Sequence, residues 1–118
     1  MPFIKVKTAF TLTYEQETKL KEGLGKVIEN VPYKSEQYLL IDFEDQQKLW
    51  LKGRKSEDIV YIEGAVFANE CHFGYEDFSR ELTDLFSKIL NISKDKIYIR
   101  YEDISAWSIA GNYIDRTF

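Results

Sequence analysis

The chain has 118 residues and a formal net charge of −4, with 44% hydrophobic and 31% charged residues. That length builds one domain with a real core and leaves no room for two. The acidic balance and the absence of a basic stripe exclude a phosphate-backbone partner, and the single cysteine, Cys71, excludes an internal disulfide or a Cys-x-x-Cys site.

The nearest approach to a basic patch, Lys52-Gly53-Arg54-Lys55, is broken by glycine and followed by Glu57-Asp58, so it reads as a solvated turn. His72 is the single histidine, and a metal centre would have to rest on carboxylates or a partner chain. No metal is expected. Neither a secretory signal nor an apolar run of about 18 residues is present, so the expectation is a cytoplasmic chain with no membrane partner. Eight Tyr, eight Phe and two Trp exceed what one small core needs, which points to an aromatic-lined pocket or a buried subunit interface.

The chain opens Met1-Pro2-Phe3-Ile4-Lys5. Proline is small enough for the methionine to be clipped, which would leave Pro2 with a free secondary amine. An α-amino group titrates at roughly pH 7.7–8.0 when unperturbed, within reach of general-base work. Residues 2–8 alternate, Ile4 and Val6 against Lys5 and Lys7, as a half-buried strand does. Thr13-Tyr14-Glu15-Gln16 matches a capping box with Thr13 as N-cap. Leu20, Leu24, Val27, Ile28 and Val31 then form a helical stripe that Pro32 ends. QYLLIDF (37–43) reads as a strand covered on both faces, followed by a short Leu49–Leu51 segment.

The second half repeats this order. DIVYIEGAVF (58–67) reads as a strand, and a helix opens near Gly74 with the stripe Phe78, Leu82, Leu85, Phe86 and Ile89. Each of these lies 58 positions after its counterpart in the first stripe. Lys34…Tyr38 and Lys94…Tyr98 share one spacing, and the following strands close on Phe43-Glu44-Asp45 and Tyr101-Glu102-Asp103. The expectation is one domain over 1–118, an internal pseudo-repeat of about 1–57 and 58–118. The fold class is α+β, a two-layer α/β arrangement in which duplicated β-α-β units form a four-stranded mixed sheet with two helices on one face. The sheet's other face then needs a second subunit to cover it.

Met1-Pro2-Phe3-Ile4, Lys34-x-x-Gln37-Tyr38, Ile92-Ser93-x-Asp95-x-Ile97-Tyr98-Ile99 and Thr117-Phe118, in this order, resemble the tautomerase superfamily, and its macrophage migration inhibitory factor branch most closely. The resemblance spans the whole chain. It implies a homotrimer with sites at subunit interfaces, cofactor-independent keto–enol chemistry on 2-oxo acids such as phenylpyruvate, and Pro2 as general base. It also implies that Lys34 binds the substrate carboxylate and that Tyr38 and Tyr98 line the pocket, although both tyrosines are equally suited to packing alone. Arg100 stands where the best-known members carry asparagine. It would clamp a carboxylate and favour a diacid or a smaller oxo acid, or else form an interface ion pair. Gly64 is the best match for a backbone contact, with the register blurred by extra residues at 69–73. Glu63 is either a satisfied interface charge or a second polar group. The stretch 105–111 is expected to add a short strand to a neighbouring subunit and bring Trp107 or Ile109 near its pocket.

Two other functions fit the same residues. One is a binding or signalling trimer with incidental chemistry, which relatives can export by non-classical routes. The other is hydration-type dehalogenation on the same base, which calls for extra arginines and a carboxylate and which Arg100 and Glu63 keep open.

Overall fold

A computed structural model describes residues 2–116. The Met1 and Thr117-Phe118 parts of the motifs lie outside the described residues. Strand β1 (Pro2–Thr8) leads into helix α1 (Tyr14–Val27), then β2 (Leu40–Glu44) and a small hairpin of β3 (Trp50–Leu51) and β4 (Arg54–Lys55). The second half runs β5 (Val60–Phe67), α2 (Tyr75–Leu90) and β6 (Ile97–Ile104), and ends in a hairpin of β7 (Ala106–Ile109) and β8 (Asn112–Asp115).

Both helices start and stop where local chemistry dictates. The Thr13 hydroxyl accepts from the Gln16 amide at 3.1 Å while the Gln16 side chain accepts from the Thr13 amide at 3.0 Å, which completes the capping box. Past Val27 the helix tightens into a 3-10 turn over Ile28–Asn30, and Val31 is already extended, as a residue before proline must be. Helix α2 begins on Gly74, whose φ of +83° favours glycine. A Cβ there would fall 1.9 Å from the Asn30 carbonyl oxygen, so Gly74 is also where the two helical connections touch.

The sheet order is β2-β1-β5-β6. Within each β-α-β unit the strands run parallel, and β1 and β5 join the units antiparallel. Ile4, Val6, Val60, Ile62 and Val66 on one sheet face pack with Leu20, Leu24, Ile28, Phe78, Leu82 and Phe86 of the helical layer. Full burial of each such side chain contributes about 1.5–3 kcal/mol. Both helices therefore lie on the same side.

The opposite face departs from the expectation of an apolar surface. Ile41 and Phe43 turn toward the helices, so β2 presents Leu40, Asp42 and Glu44 outward. Asp42 opposes Lys5, Lys5 opposes Glu63, and Glu63 opposes Arg100, a row of alternating charge across all four strands. The second strand is also shorter than its apolar run. Glu36–Tyr38 form a 3-10 turn, so Tyr38 precedes the strand instead of opening it.

Candidate functional site

Strand directions decide what meets Pro2. It starts β1, and Val66, one residue from the end of β5, is its register partner. β2 begins beside Phe3, and β6, parallel to β5, ends at the same edge. Three connections therefore converge around a buried Pro2: the 31–39 segment, the 68–74 loop and the base of the C-terminal hairpin. The Arg116 amide closes that base by donating to the Ser105 carbonyl at 2.8 Å.

A depression of ≈ 300 Å³ opens between these connections, lined by Pro32, Tyr33, Ala68, Asn69, Glu70, Cys71, Phe73 and Arg116, with Pro2 and Lys34 outside that lining. That is small-ligand scale. Arg116 Nε donates to Glu70 Oε1 at 3.0 Å. This bond is the main cause holding the Glu70 carboxyl below its ordinary range, and the charge of Lys34 acts on Glu70 in the same direction. Lys34 is half-buried, its amide bonded to the Val31 carbonyl at 3.1 Å.

The 68–74 loop is held in a defined shape. Ala68 and His72 adopt positive φ, 65° and 60°. Buried Asn69 donates to the Phe73 carbonyl at 2.9 Å, and His72 Nε2 sits 2.8 Å and 3.0 Å from the two Asp103 carboxylate oxygens. The His72 ring stacks on Tyr75, which stacks on Tyr101 at 4.5 Å. Tyr75 Oη is buried without a partner at hydrogen-bond geometry, although Asn69 lies close enough to favour its ionised form. Burial outweighs that contact and pushes the Tyr75 phenol up. Cys71 is exposed, and its neighbour His72 is engaged by Asp103. No group of three or more His, Cys, Asp or Glu among the described residues is arranged to hold a metal.

The sequence-derived residues divide accordingly. Pro2 and Lys34 reach the same end of the molecule, and Tyr38 lies just before β2 at that end, 58% exposed. Gly64 faces Ile4 and Tyr101 in the sheet interior, with strand partners on both sides, so its backbone belongs to the ladder. Phe67 and Ala68, at and just past the end of β5, lie nearer Pro2 in register. Tyr98 pairs with Tyr61, which faces Lys7, five residues along β1 from Pro2. At about 3.4 Å per residue that is roughly 17 Å along the strands. Arg100 opposes Glu63, its guanidinium 3.8 Å from Glu102, on the outward face. One protomer does not bring Tyr98 or Arg100 to Pro2. Glu70, Asn69 and Arg116 went unread in the sequence, because nothing local links a loop residue to a cation 46 positions later.

The family model for macrophage migration inhibitory factor (MIF) matches residues 1–114. The chain belongs to this family. Solved structures agree on the MIF/tautomerase fold. Leishmania major MIF2 is 16% identical, with 97% of each chain covered and a TM-score of 0.86. A macrophage migration inhibitory factor homologue from Prochlorococcus marinus is 21% identical, covering 94% of this chain and 97% of its own, at a TM-score of 0.78. A fused 4-OT described as an asymmetric trimer is 15% identical over 93% of this chain and 94% of its own, at 0.81. No curated protein sequence matches the chain.

Proposed function

We propose that this MIF-family chain is a cofactor-independent keto–enol tautomerase for 2-oxo acids such as phenylpyruvate, with Pro2 as general base once Met1 is removed. The observation that carries the reading is the placement of a buried Pro2 and a half-buried Lys34 at one end of the sheet, the end where a small-ligand depression also opens. Burial disfavours the ammonium form of an amine, and a nearby lysine adds like-charge repulsion. A neutral Pro2 nitrogen then takes a proton from the carbon beside the substrate carbonyl and delivers it to the carbonyl oxygen, giving the enol. The reverse transfer regenerates the ketone. Lys34 holds the carboxylate.

The enolate oxygen needs donors, and Tyr98 and Arg100 supply them from a neighbouring protomer in a homotrimer. Support for assembly comes from the exposed apolar side chains Leu40, Trp50, Tyr98, Tyr113 and Ile114, and from relatives described as trimers.

The test is intact mass followed by phenylpyruvate ketonisation at pH 7, with wild type and Pro2→Gly. Loss of the Met1 mass together with activity that collapses in the variant supports the reading. A clipped wild type inactive on phenylpyruvate and a panel of 2-oxo acids overturns it in favour of a binding trimer.

A further inference from the structure

The depression at the Pro2 end of the sheet is lined by one cation and one acid. Arg116 and Glu70 line it, and Lys34 directly follows the lining residue Tyr33. Glu70 and Arg116 are the charged residues of that lining, and Lys34 stands outside it while its charge acts on Glu70. Arg116 Nε donates to Glu70 Oε1 at 3.0 Å, which sets an acid directly against the guanidinium that an anion would seek. Lys34 has no comparable carboxylate among the described ion pairs.

We propose that Glu70 is the specificity-determining residue of this pocket: by setting its carboxylate against Arg116 it makes the pocket accept monocarboxylates and discriminate against dicarboxylates. This rests on the reading that small 2-oxo acids bind at the Pro2 edge. A second substrate carboxylate approaching Arg116 would meet a like charge at Glu70, and it could take the Nε donor only by displacing it. Such a step costs the new ion pair the strength of the old one. Apolar and aromatic lining from Pro32, Tyr33, Ala68 and Phe73 suits an uncharged tail at the far end of the ligand. The Glu70–Arg116 pair is about half exposed, so its removal is a change of charge and not of the core. Neutralising Glu70 therefore frees Arg116 as a second, bidentate-capable anion site.

Calorimetric titration of phenylpyruvate and 2-oxoglutarate, paired with turnover of phenylpyruvate, tests this in wild type, Glu70→Gln and Glu70→Gln/Arg116→Gln. Wild type should favour phenylpyruvate. Glu70→Gln should shift the affinity ratio toward 2-oxoglutarate by about tenfold, equivalent to about 1.4 kcal/mol, and the double variant should reverse the shift. A ratio that moves less than about twofold in Glu70→Gln, or a gain that survives removal of Arg116, overturns the inference. Turnover in wild type with an unmoved ratio sinks the inference alone. A shifted ratio with no turnover by any variant keeps it and sinks the proposed reaction. Binding of neither probe overturns both.

Discussion

Lys5 lies directly opposite Glu63 across the antiparallel β1–β5 pair, on the sheet face that the helices leave uncovered. Glu63 meets a second cation, Arg100, on its other side. An acid between two cations gains on both flanks, whereas a cation in its place would set three like charges side by side. Glu63→Lys is therefore expected to cost about 1 kcal/mol of stability, read by chemical denaturation. If this face is the subunit interface, sedimentation should also show a shift from trimer toward monomer.

Lys34 should govern binding more than chemistry. A charge-assisted hydrogen bond to a carboxylate contributes about 1.5–3 kcal/mol. Lys34→Ala is accordingly expected to raise KM for phenylpyruvate by roughly ten- to a hundredfold, with a smaller change in kcat. Steady-state kinetics separates the two, and a collapse of kcat at unchanged KM would assign Lys34 to the proton transfer.

Gly74 is the position where a single methyl group should be most costly. Its φ is +83°, and a Cβ would meet the Asn30 carbonyl oxygen at 1.9 Å, a backbone atom that cannot swing aside. Gly74→Ala should destabilise by at least about 1–3 kcal/mol, seen as a lower denaturation midpoint. Gly53, also at positive φ but with open space around its Cβ position, should lose less on the same substitution.

Alkaline pH should loosen the packing of β6 on α2. Burial raises the phenol pKa of both Tyr75 and Tyr101 above the ordinary value of 10.0. In the unfolded chain these phenols lose their protons first, so the stability of the buried neutral rings is fully present below pH 10.0 and declines as pH rises toward their higher folded values. Absorbance at the phenolate band should show Tyr75 and Tyr101 ionising above pH 10.0. Near-UV circular dichroism should change with them. Ionisation of Tyr75 and Tyr101 at or below pH 10.0 in the folded protein would contradict this.

Much of the architecture is written locally. A 3.6-residue stripe names the buried face of each helix, and Leu20, Leu24 and Ile28, like Phe78, Leu82 and Phe86, are buried as the spacing demands. The Thr13 cap and the Pro32 stop are properties of adjacent residues, and so is the alternation of residues 2–8. Backbone geometry alone imposes those periods, and short-range patterns reveal it. Pro2 and Lys34 were legible as candidates through resemblance at their own positions.

Tertiary structure decided which ends of which strands share an edge. Because β5 runs antiparallel to β1, its last residues and the loop after it arrive beside Pro2, while the start of β6, with Tyr98, is carried to the opposite end. The same directions bring Glu70 to Arg116 and His72 to Asp103, pairs 46 and 31 positions apart. The outward face of β2 belongs with these, since an apolar run says that a strand is buried but not how its register sets Asp42 beside Lys5. Register and strand direction depend on long-range pairing, so no window of neighbouring residues contains them.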